Sequence, residues 1–183
     1  MAAAFRDLHG PRLHGFTLLV TLGDTRLAER TAGFALAAGA AQAAALRHPE
    51  RAAAWLRARA LRTLREQRRF RRSLGAGERR ATLAPLGVDE AAYRGLAALD
   101  LNARAALVAS GIERFDPIDV ETILDAAPAA TRRIVAEARK RYLRFAGGSA
   151  DGEPAAAGEP MGELAGRVHK VATRAFSIGE TSR

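Results

Sequence analysis

The sequence predicts an all-α fold of two small helical domains, the second ending in a helix-turn-helix. Three observations lead there. The chain is 48% hydrophobic but only 5% aromatic, so its cores must come mainly from Leu, Ala, Ile and Val, and Ala and Leu favour helix. Apolar residues recur at three- and four-residue spacing, the period of an amphipathic helix. Gly75, Gly77, Pro85 and Gly87 interrupt any long helix in mid-chain. The predicted boundaries are a first domain over 11–73, a linker over 74–88, a second domain over 89–145 and a flexible tail over 146–183.

In the first domain, Leu13, Phe16, Leu19, Val20 and Leu22 form a short apolar face. Gly23-Asp24 is a break, and Asp24 or Thr25 can cap the next helix. That helix carries Leu27, Ala28, Thr31, Phe34, Ala35 and Ala38. His48-Pro49 marks another boundary, and Pro49-Glu50 suits the first turn of a third helix. There Ala53, Leu56, Ala60 and Leu64 share a side near Trp55, and arginines cover the rest.

In the second domain, Tyr93, Leu96, Leu99 and Leu101 give one apolar series. A helix from Leu101 is expected to end at Ser110-Gly111. Asp116-Pro117 caps a short helix filled by Ile118, Val120, Ile123 and Leu124. After the turn at Ala126-Ala127-Pro128, a last helix runs through Arg144 with Ile134, Val135, Ala138, Tyr142 and Leu143 inward. A short helix, a tight turn and a basic second helix describe a helix-turn-helix. In the tail, Leu164, Val168, Val171 and Phe176 fit a short amphipathic helix over 163–176.

The formal charge is +9, and it has one main home. Between positions 47 and 80, twelve arginines face Glu50, Glu66 and Glu78. Like charges this dense repel unless an anion opposes them. A second basic cluster, Arg132, Arg133, Arg139, Lys140, Arg141 and Arg144, faces only Glu137. The segment before it, 100–125, has a net charge of −4.

Several function classes are not expected. The chain has no cysteine, which excludes disulfides, thiolate zinc sites and cysteine nucleophiles. The four histidines form no short ligand pair, so no metal or other cofactor is expected. No phosphate loop, nucleophile elbow or catalytic acid pair stands out, so the chain is not expected to be an enzyme. No long uncharged apolar run suggests a membrane span, and Arg6 and Asp7 interrupt what a secretion signal would need as its apolar core. A cytoplasmic location is the expectation.

The candidate nucleic-acid contacts are the two basic clusters. Arg57, Arg59, Arg62, Arg65, Arg68, Arg69, Arg71 and Arg72 can neutralise phosphates along one helix; the bland alternative is a solvated face paired with Glu66 and Glu78. Phe70, set among four of these arginines, is a candidate for stacking on a base. Trp55 suits a core position or a wedge between bases. On the last helix, Thr131, Arg132 and Arg133 lie at the end that would enter a groove, while Arg139 and Lys140 suit phosphate. An ordinary charged helix end is the alternative there.

Three stretches together resemble the bacterial extracytoplasmic-function (ECF) RNA polymerase sigma factors. Gly23-Asp24-Thr25-Arg26-Leu27-Ala28-Glu29 is similar to the opening of the family's clamp-binding helix. Pro49-Glu50 with Trp55-Leu56, Ala60 and Arg68-Arg69 is similar to the helix that opens the −10 element. Leu96, Leu99, Arg104 and Ala136-Glu137-Ala138-Arg139-Lys140-Arg141-Tyr142-Leu143 resemble the −35-reading domain. The resemblance implies a sigma region 2-like domain and a sigma region 4-like domain. It implies core RNA polymerase (clamp and flap) and promoter DNA as partners, and it admits an anti-sigma protein. Asp24, Glu29, Arg30 and Gly33 would then face the clamp; Arg30 and Gly33 stand where the family usually has aspartate and glutamine. The implied function is promoter-specific transcription initiation. Two alternatives stay open: a sigma-like regulator or scaffold that binds a protein without initiating, and an independent helix-turn-helix DNA-binding regulator.

Overall fold

The computed structural model of the chain describes residues 2–42, 49–67 and 75–147. These form eight α-helices and no strand among the described residues, as the composition predicts. The expected tail helix over 163–176 lies outside the described residues.

Helix α1 (Ala2–Val20) starts well before the predicted Leu13 and carries Pro11 inside it. A Gly-Pro pair reads locally as a break. Tertiary burial overrides it: Phe5 packs with Trp55 and Leu36 against a small cluster of Leu13, Ala32, Ala35, Leu56 and Ala60. Gly39 makes room for this, since a Cβ there would stand 2.8 Å from Leu56 and 2.9 Å from the Phe5 ring. The break at Gly23 is real. Leu22 and Gly23 both take positive φ, and a Gly23 Cβ would lie 2.5 Å from the Arg79 carbonyl oxygen, so only glycine fits. Asp24 then caps α2 (Thr25–Gln42) by accepting a hydrogen bond from the Leu27 N–H at 3.0 Å.

Pro49–Arg51 form a single 3-10 turn that leads into α3 (Ala52–Glu66). Leu56, Ala60 and Leu64 of α3 are buried as the spacing predicts. The stretch 74–88 contains α4 (Ala76–Leu83) and a 3-10 turn. Asp89 caps α5 (Glu90–Ala97), and Asp100 caps α6 (Leu101–Leu107). The chain does not stop at Gly111. It widens into a π-helical turn, Val108–Ile112, which buries Val108, Ala109 and Ile112. Then follow α7 (Pro117–Leu124) and α8 (Pro128–Ala146).

One buried cluster draws side chains from all eight helices, from Phe16 of α1 to Tyr142 of α8. Leu83, Leu86 and Val88, from the segment between the two predicted domains, belong to it. A buried cation ties the halves together. Arg104, 6% exposed, donates to the carbonyls of Val20 (2.7 Å), Leu96 (2.9 Å) and Leu99 (2.6 Å). The last turn of α1 and the α5–α6 corner thereby satisfy carbonyls that would otherwise lack partners at helix ends.

Candidate nucleic-acid interface

Helices α7 and α8 are joined by residues 125–127, a turn of three residues. Local chemistry sets both ends. Asp116 accepts from the Asp119 N–H at 2.7 Å, and Pro117 follows at the first helical position. Asp125 takes the left-handed conformation, φ 53°, that ends α7. Val120, Ile123 and Leu124 of α7 and Ala138 and Tyr142 of α8 are buried between the helices and their supports. Gly95 of α5 receives the Tyr142 ring, which comes within 2.6 Å of where a Cβ would stand.

On α8, Arg132, Arg133, Arg139 and Lys140 are all exposed, and none pairs with a carboxylate among the described residues. Thr131 behaves differently from its neighbours. It is 4% exposed, and its hydroxyl donates to the Ala126 carbonyl at 3.3 Å. Its place is inside the turn, not on the presented surface.

The arginines of α3 divide into two sets. Arg57 is buried at 2% exposure, paired with Glu113, and its guanidinium lies 4.8 Å from the Phe115 ring and 5.6 Å from the Phe16 ring. Arg65 donates to Asn102 Oδ1 at 3.0 Å and to the Leu124 carbonyl at 2.9 Å. Just before α3, Arg51 pairs with Asp119 at 2.8 Å. These three turn toward the acidic segment 100–125. Arg59 and Arg62 form the second set. With Trp55 they line a cleft of about 560 Å³, whose far wall includes Glu121, Thr122 and Asp125. Arg59 also lies 5.5 Å from the Phe34 ring, and its buried Nε has no acceptor among the described residues. Trp55 therefore both packs against the small core cluster and borders the cleft. Arg68, Arg69, Phe70, Arg71 and Arg72 lie outside the described residues.

The expected clamp-facing residues are on or next to α2. The Asp24 carboxylate is engaged as the helix cap. Glu29, Arg30 and Gly33 are exposed beside Phe34, itself 53% exposed. Arg30 reaches across to α3 and donates to Gln67 Oε1 at 3.3 Å, while open space surrounds Gly33. On α1, His9 and His14 are half-buried. Burial lowers the pKa of both, helped at His9 by Arg57 and Arg12 and opposed at His14 by Glu29.

Sequence reasoning missed the inward roles of Arg51, Arg57 and Arg65, and the anchoring by Arg104. The one available signal was the net −4 segment lying opposite a helix with too few acids of its own. Among the described residues, no His, Asp and Glu cluster suits a metal ion, and no helix is long and apolar enough to cross a membrane. Against known proteins, the chain matches no family model, no curated protein and no solved structure.

Proposed function

We propose that this chain is a sigma-factor-like transcription protein that binds core RNA polymerase and contacts promoter DNA non-covalently. The supporting observation is the pair α7 and α8, joined by a three-residue turn, with four exposed basic side chains on α8, Arg132, Arg133, Arg139 and Lys140, that have no carboxylate partner among the described residues. A recognition helix needs unpaired donors on its outer face and a rigid support behind it. Here α5, α6 and α7 supply the support. The cleft at Trp55, Arg59 and Arg62 offers a second basic contact with an aromatic edge. Arg57 and Thr131 are buried, so this reading assigns them no DNA contact. The sigma-factor assignment itself rests on the order of the three sequence motifs. Its test is a pull-down with core RNA polymerase followed by run-off transcription on a promoter library. Promoter-specific initiation is the expected outcome; loss of both core binding and specific initiation would sink it.

A second reading is a sigma-like scaffold that binds a protein without initiating transcription. The Arg30–Gln67 hydrogen bond favours it. A cation occupies that face of α2 where an acid would meet the clamp, and a reversed charge can weaken an interface by several kcal/mol as an order of magnitude, about a thousandfold. Under this reading, the paired change Arg30→Asp and Gly33→Gln strengthens binding to core polymerase. Unchanged binding would remove the reason for preferring it.

A further inference from the structure

A groove of about 660 Å³ runs along α8 on the side that meets α7 and the π-helical turn. Its floor is apolar: Phe115, Val120, Val135 and Leu143 line it. Its rim is cationic, formed by Arg132, Arg139 and Lys140, all exposed. An apolar trough edged by cations with no carboxylate partner among the described residues fits an acidic segment that carries one or two apolar anchors.

The chain carries such a segment directly after α8. Residues 151–163 contain Asp151, Glu153, Glu159 and Glu163 and no basic residue. Met161 and the adjoining Leu164 supply apolar side chains. The reach is short. From Thr131 to Leu143 the groove spans about 18 Å of helix, at the usual rise per residue. About six extended residues cover that length. Helix α8 ends at Ala146, less than one turn beyond Leu143, so the chain leaves α8 beside one end of the groove.

We propose that residues 151–164 dock on the α8 groove of their own chain, with the carboxylates at the cationic rim and Met161 and Leu164 against the floor. Tethering favours this occupant over a free peptide of the same composition, because a short linker holds it at an effective concentration in the millimolar range. Docking would cover Arg132, Arg139 and Lys140, so any ligand of that face competes with the chain's own acidic segment.

The native chain has no cysteine, so a pair of introduced thiols reports one contact alone. In the full chain, Ala136→Cys, in the groove lining, is combined with Gly162→Cys and mildly oxidised. The reference pair is Gly77→Cys with Gly162→Cys, since position 77 is exposed with open space around it. The expected result is an intramolecular disulfide forming at least about tenfold faster in the first pair, with the acid-free variant of the same pair controlling for tether length. Replacing the four acids by Asn and Gln should reduce that advantage, as should added salt. Equal rates in the two pairs would overturn the proposal. So would an advantage that survives removal of the acids, or a disulfide-linked dimer, which would give the groove to a second copy. The crosslink is read without nucleic acid or polymerase, so its outcome is independent of the proposed function.

Discussion

Helices α3 and α8 look alike in sequence, each crowded with arginine, yet the fold uses them in opposite ways. In α3 and the turn before it, Arg51, Arg57 and Arg65 point into the molecule and hold Asp119, Glu113, Asn102 and the end of α7. In α8, Arg132, Arg133, Arg139 and Lys140 point out and have no carboxylate partner among the described residues. The difference comes from which way the acids of one segment turn. Residues 100–125 have a net charge of −4 and touch both helices. Glu113 and Asp119 turn toward Arg57 and Arg51, whereas α8 meets the segment through buried apolar side chains such as Ala138 and Tyr142. Charge density along a sequence is therefore a poor measure of surface charge. Three arginines of the longer basic run join α3 to its neighbours, while Arg59 and Arg62 line an outward cleft and the four cations of α8 lie at the surface.

The largest test of this contrast is at Arg57. Its replacement by Leu should destabilise the fold by about 3–5 kcal/mol, because Glu113 is left as a mostly buried, unpaired charge. Urea denaturation measures it, and adding Glu113→Gln should recover part of the loss. A variant as stable as the parent would mean that this ion pair does not join α3 to the π-helical turn.

The counterpart on α8 should separate binding from stability. Arg139→Gln together with Lys140→Gln should shift stability by no more than about 0.5 kcal/mol, as for exposed positions generally. Binding to duplex DNA should weaken roughly tenfold at moderate salt, and the salt dependence should shrink by about one phosphate contact per residue. Fluorescence anisotropy across a salt series reads both quantities. An unchanged slope would remove α8 from the nucleic-acid interface.

The smallest effect belongs to Arg51. Its side chain is 37% exposed and that of Asp119 16%, so solvent screens the pair. Arg51→Ala should cost about 0–1 kcal/mol, falling as salt is added. A loss as large as that at Arg57 would show that burial does not govern how much these arginines contribute.

Much of the frame was legible because its causes are local. Asp24 and Asp116 cap their helices from three residues away, and Pro117 and Pro128 open α7 and α8. Each depends on neighbours within one turn, which a sequence displays directly. Arg57 was not legible, because its partner is 56 residues away. Arg104 was harder still, since it reaches the Val20 carbonyl across 84 residues. Before the fold is known, nothing in a run of arginines says which will meet a carboxylate or a bare carbonyl. Thr131 misled for a related reason. It begins the basic stretch of α8, but the helical turn rotates it inward while Arg132 and Arg133 stay out.

By itself, the sequence determined that the described chain is helical and where most helices start, because propensity, capping and periodicity act over a few residues; Phe34 and Ile118, read as members of apolar faces, are exposed. Only the tertiary structure decided that Pro11 stays within a helix, that one core draws on all eight helices, and which arginines remain outside it. Those outcomes depend on burial and on charges paired across long separations, and a side chain's exposure is fixed by what packs against it.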